Sequence, residues 1–132
     1  MGNTYLNEGR PTFVAAAKIN EGQLCVLTAD GKLTPHTTAL ASTNKKTALV
    51  FALTDAEVGY TVAGKLVGAA PGSVLAVAAA GSYVPGAPVY AADAGKVTAT
   101  SGTRLVGVYL GKNATVADGA AVEVAPMFAV ID

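Results

Sequence analysis

The sequence predicts an all-β protein: a small barrel or sandwich built from an internally repeated hairpin unit and led by an extended N-terminal arm. Three observations carry that expectation. Short runs rich in Val, Leu and Thr alternate with Gly, Pro and Asp turns at intervals of roughly ten residues, the spacing of all-β sandwiches and barrels. A hairpin-sized motif occurs twice. Finally, 15 Gly and 6 Pro among 132 residues interrupt the chain too often for long helices.

Residues Met1 to Thr12 read as the arm, closed by Arg10-Pro11, and residues 13–132 as a single β domain. The arm's Asn, Glu, Gly, Arg and Pro give it little to bury. It is expected to order only against a neighbour, through Tyr5 and Leu6, because ordering costs about 1–2 kcal/mol per residue. Strands are expected at Phe13–Ala17, Leu24–Leu27, Leu33–Thr34, Ala48–Leu53, Tyr60–Ala63 and Val74–Val77, then at Val89–Ala91, Val97–Thr98, Leu105–Leu110, Ala121–Ala125 and Phe128–Ile131. Asp30-Gly31 is a two-residue hairpin signal, since glycine accepts the positive φ of a type I′ turn. Leu53–Glu57 is expected to hold a helical turn capped by Thr54, and Ala39–Lys46 to be a loop. The run Val74–Ala80 reads as a buried strand or a short helix, because the prolines and glycines around it leave no piece long enough to span a bilayer.

The repeat aligns Gly22-Gln23-Leu24-Cys25-Val26 and Asp30-Gly31-Lys32-Leu33-Thr34 with Gly86-Ala87-Pro88-Val89-Tyr90 and Asp93-Ala94-Gly95-Lys96-Val97-Thr98. Each copy is followed by an apolar strand, Leu49–Leu53 or Leu105–Tyr109, and then by Gly59–Ala63 or Gly119–Val124. Such a unit used twice builds a pseudo-symmetric barrel and is too short for a solenoid. In Leu105–Leu110, Val106, Val108 and Leu110 point one way and Leu105 and Tyr109 the other. One of those apolar faces is expected to meet another subunit or a partner.

Composition excludes much. Nine Lys+Arg against nine Asp+Glu, with 14% of residues charged, rule out a nucleic-acid binder working by bulk electrostatics. A lone Cys25 excludes an internal disulfide framework, and a lone His36 excludes paired-histidine zinc motifs. The N-terminus lacks a signal-peptide pattern, and Leu6 breaks the myristoylation motif. The Asn113-Ala114-Thr115 sequon is therefore expected to be irrelevant. Gly59–Lys65 matches the first seven positions of a phosphate-binding loop, but Leu66 stands where the magnesium-binding hydroxyl belongs, so a strand and turn are expected. Lys32 and Lys96 follow hairpin turns, as the modified lysine of biotin or lipoate carriers does, yet lack its Met-Lys-Met or Asp-Lys-Ala surroundings; both read as solvated. Asp55, Glu57, Asp93 and Asp118 have no spacing that enforces an acid–base pair, and in Gly-rich turns they read as turn formers. His36 is expected to be exposed in a Thr-rich loop, and Cys25 to be a buried small hydrophobe. No enzyme, cofactor or metal site is expected.

The opening Asn3-Thr4-Tyr5-Leu6-Asn7-Glu8-Gly9-Arg10 and the Gly-x-x-Val repeat, with Gly86–Tyr90, Gly95–Thr98, Leu105–Leu110 and Gly119–Val124, resemble the small capsid decoration, or cement, proteins of tailed bacteriophages. The resemblance runs from Asn3 to Val124, nearly the whole chain. Leu33–Lys46 is longer and more polar than such proteins usually need, and the tail Ala125–Asp132 adds an apolar strand. The resemblance implies a β-rich, non-enzymatic protein, commonly a homotrimer, made in the host cytoplasm and bound to the outside of the head. Its partners would be the major capsid protein and itself, with no nucleic acid or membrane. Tyr5, Leu6 and Arg10 of the arm, with Phe128 and Ile131 of the tail, are the expected capsid or subunit contacts. Other virion components (a head-fibre base, a tail part, a host-binding protein) and a biotin- or lipoate-type carrier are the alternative readings.

Overall fold

The structure, a computed structural model, describes residues 12–37, 48–67, 72–101 and 104–127. It is all-β and antiparallel, as the turn spacing predicts. One sheet holds β1 (Thr12–Val14), β2 (Leu24–Leu27), β3 (Leu33–Pro35), β4 (Leu49–Ala52) and β5 (Thr61–Leu66), in the order β1-β5-β4-β2-β3. A second holds β6 (Val74–Val77), β8 (Pro88–Ala91), β9 (Val97–Thr98), β10 (Leu105–Tyr109) and β12 (Ala121–Pro126), in the order β6-β12-β10-β8-β9. Between them in sequence, β7 (Gly81–Tyr83) pairs with β11 (Ala114–Val116) as a small ribbon.

The two sheet orders are the same order, strand for strand. The duplication read from the hairpin motif therefore extends to a five-stranded unit, with β1 and β6 as equivalent first strands. Hydrogen bonds repeat with it. Ala52 N–H donates to Gln23 O and Tyr109 N–H to Ala87 O, both at 2.9 Å. In each unit a parallel bridge, Ala15–Leu33 or Ala78–Val97, ties the first strand to the last, so the sheet curls round to its own edge.

Alternation along the strands makes the interiors. In β12, Ala121 and Glu123 face solvent while Val122 and Val124 are buried. The first unit's interior gathers Ala15, Ile19, Cys25, Leu33, Val50, Ala52, Ala56 and Val62. The second is built round two tyrosines, Tyr83 and Tyr109, whose ring centroids lie 5.4 Å apart. Their hydroxyls find backbone acceptors: Tyr83 donates to Ala79 O at 2.7 Å and Tyr109 to Lys112 O at 2.6 Å. β4 breaks the alternation, because all four of its residues are buried. Val50 and Ala52 fill the first unit, whereas Leu49 and Phe51 join Leu24 and Val26 in a cluster with second-unit residues that include Val74, Val97 and Val106. The outer face of the first sheet is thus covered by the second unit.

Several expectations need correction. β1 begins at Thr12, which belongs to the sheet rather than to the arm. The alternation expected along Leu105–Leu110 is broken by a register shift between Leu105 and Gly107, so Val106 and Tyr109 are both buried in one cluster while Leu110 is exposed. The run from Val74 is a strand, but Leu75 projects to solvent at 64% exposure. β7 and β11 were not legible, because Gly81-Ser82-Tyr83 and Ala114-Thr115-Val116 lack an apolar run. No helical turn forms at Leu53–Glu57; Thr54 Oγ1 instead accepts the Ala63 N–H at 3.2 Å, and Ala56 bridges to Ile19. The Asp30-Gly31 hairpin exists, yet only Gly31 is left-handed, at φ 77°, and its N–H closes on Thr28 O, which fits a type I turn with a glycine bulge. The left-handed pair of a type I′ turn occurs in the other copy, at Ala94 (φ 59°) and Gly95 (φ 70°).

Two outcomes follow in denaturant unfolding. Phe51→Ala should lower stability by about 3–5 kcal/mol, the usual cost of deleting a fully buried aromatic ring. Ala94→Gly should raise it by about 0.5–1 kcal/mol, since relief of left-handed strain exceeds the added chain entropy.

Candidate interaction surface

The residues able to do chemistry are kept apart by the fold. Gly64 and Lys65 lie within β5, so the phosphate-loop match is a strand. Lys32 is exposed after its turn, whereas Lys96 is not simply solvated: its Nζ lies 2.9 Å from the Asp118 carboxylate. Glu57 faces Lys18 at 3.6 Å, and Asp55 Oδ1 accepts the Glu21 N–H at 2.6 Å. Asp55, Glu57 and Asp118 are each engaged in this way. Among the described residues no three His, Cys, Asp or Glu side chains gather to hold a metal ion.

Of the buried polar residues, His36 lies at the junction between the units. His36, expected in an exposed loop, is fully buried. Its ring Nδ1 lies 2.8 Å from Ala92 O, which only accepts, so Nδ1 carries the proton and Nε2 is left without a partner. The His36 N–H donates to Leu24 O at 2.9 Å, and its carbonyl accepts the Gly95 N–H at 3.0 Å. Beside it, Gln23 Nε2 donates to Ala94 O at 3.1 Å. On the other side of Gln23, Val77 N–H donates to Gly22 O at 3.1 Å. The position of His36 in β3's exit, two residues after Thr34, gives no sequence signal of burial; the second unit creates it. Burial pushes the His36 pKa below its ordinary value, and the Arg104 charge adds to this, while the Ala92 hydrogen bond and Asp93 oppose it. Burial also pushes the Cys25 thiol up to about 12.

Outside the junction, several large apolar side chains face solvent. Leu75 of β6 stands opposite Glu123 of β12, and Leu110, whose N–H donates to Glu123 O, lies just past the end of β10. Ser73 Oγ donates to the Glu123 carboxylate at 2.7 Å, fixing the one charge in that row. At the first unit, Val58 and Tyr60 project from the turn before β5, Tyr60 at 70% exposure. A shallow groove of about 340 Å³ opens between β1 and the Asp30–Lys32 turn, with Thr61 beside it. Among the described residues this arrangement offers apolar contact area. The expected contacts Tyr5, Leu6, Arg10, Phe128 and Ile131, and the Ala39–Lys46 loop, lie outside the described residues. The exposure of Leu75 was missed because its neighbours Val74 and Ala76 are apolar too.

No protein-family model matches the chain, and no curated protein matches it.

The buried groups set two outcomes. The unfolded chain protonates His36 near pH 6.5, but the folded chain resists it, so stability is full above that pH and falls as pH drops through the lowered value. Denaturation midpoints at pH 7.5 and 5.5 should differ less in His36→Asn, which keeps a donor for Ala92 O. Cys25 should react with a disulfide reagent at pH 8 at least ~100-fold more slowly in the native chain than in denaturant, since the thiolate is the nucleophile.

Proposed function

We propose that the chain is a structural virion protein that binds the outer surface of a tailed-phage head and stabilises the capsid lattice as a cement or decoration protein. The observation that carries the reading is the resemblance of Asn3–Arg10 and of the second-half repeat to that family. The physical character of the molecule supports it. Its surface presents Leu75, Leu110, Val58 and Tyr60 with little charge, which suits a protein that works through contact area rather than through a reaction. Its net charge of zero suits docking on another protein better than on a polyanion.

Its partners on this reading are the major capsid protein and further copies of itself, as a homotrimer on the capsid exterior. Several weak contacts made at once then add through effective concentration, so no single contact has to be strong. Adding the chain to undecorated heads should raise the temperature at which they rupture and release DNA. Rupture at an unchanged temperature, with no added density on the head surface by electron microscopy, would count against the proposal.

A further inference from the structure

The junction between the two units is head to tail: it joins different surfaces of the two copies. The first unit contributes Gly22, Gln23, Leu24 and His36, and the second contributes Val77 and the Ala92–Gly95 turn. By strand register, the second unit carries its own version of the first surface at Gly86, Ala87 and Pro88. The first unit carries its own version of the second surface at Val14 and the Thr28–Gly31 turn.

The glycines show which versions are covered. A Cβ on Gly22 would strike Leu75 O at 2.6 Å, and one on Gly95 would meet Gln23 and Leu24 O at 3.0–3.1 Å. Among the described residues their equivalents, Gly86 and Gly31, would meet nothing within 4 Å. A two-fold junction would cover both members of each pair; this one covers one of each. The covered turn opens toward its neighbour, with the Gly95 N–H on His36 O, whereas the uncovered turn closes on itself, with the Gly31 N–H on Thr28 O. Among the described residues, each half of the junction therefore has an uncovered copy, and the groove beside β1 lies on one of them.

We infer that a second copy of this chain covers them. The Gly86–Tyr90 surface of one copy docks on the Val14 and Thr28–Lys32 edge of the next, repeating between chains the junction already made within one. Ala87, Pro88 and Tyr90 stand where the internal junction has Gln23, Leu24 and Val26, so the seam between chains is made by apolar contact rather than by a glutamine amide. Such a contact is heterologous, and a heterologous contact closes into a ring when its rotation allows. This deepens the self-association in the proposed function by naming its two surfaces, and it rests on that part of the reading.

The test uses two single variants at exposed positions, Pro88→Arg on one surface and Val14→Arg on the other. In sedimentation velocity the unmodified chain should run as a closed multimer and each variant alone as a single chain, with unchanged circular dichroism. An equimolar mixture of the two variants should recover a two-chain species, because each keeps the surface the other has lost. An isologous contact would not be rescued by mixing. If either arginine disturbs the fold, Ala87→Glu and Lys32→Glu probe the same two surfaces by the same criteria. A single-chain mass for the unmodified protein, variants that keep the multimer, or a mixture that stays single-chain would each overturn the inference. Head binding is scored separately: a multimer that does not bind heads removes the cement reading alone, and a single chain that binds heads removes this inference alone.

Discussion

Leu24, Val26, Leu49 and Phe51 project from the outside of the first curled sheet, and their burial against the second unit is the constraint on which most of the molecule depends. A five-stranded unit of this size has one interior and an outer face that its sequence makes equally apolar. Left alone, it would hold that outer face in water. Covering it with a second copy of the same unit turns two marginal cores into one connected body. That contact also settles the behaviour of the polar groups near it. His36 is buried by it, Gln23 is aimed by it, and the Ala92–Lys96 turn is drawn into a left-handed form that its sequence does not favour.

The asymmetry of the contact has consequences for the two copies. Each unit keeps the same strand order and the same curl, but the interiors are filled differently. Ile19 and Ala52 occupy the first where Tyr83 and Tyr109 occupy the second. The tyrosines demand acceptors for their hydroxyls, and the second unit supplies carbonyls at Ala79 and Lys112. Duplication followed by divergence explains why turn chemistry at equivalent places differs, Asp30-Gly31 on one side and Ala94-Gly95 on the other.

The same economy bears on function. Charged side chains are sparse, and those described as paired sit in short local contacts such as Lys96–Asp118 and Lys18–Glu57 at the periphery. An exposed ion pair such as Lys18–Glu57 contributes little stability, typically about 0–1 kcal/mol. Affinity for any partner would come from the apolar side chains left outside the cores.

The strand spacing, the hairpins and the duplication were legible in the amino-acid sequence, because period-two alternation, glycine turns and repeated motifs are local signals. Leu24–Leu27, Val74–Val77 and Val97–Thr98 are strands at the expected residues. Cys25 was legible as buried for the same reason, flanked by Leu24 and Val26. Only the tertiary structure decided which apolar face lies inside. Val106 and Leu75 are equally hydrophobic in sequence, yet one is fully buried and the other faces water. His36 and Ala94 were illegible for a related reason, since their states are imposed by residues more than fifty positions away. Alternation tells which residues share a face of a strand; what that face meets depends on how two such sheets dock, and that is settled by non-local packing.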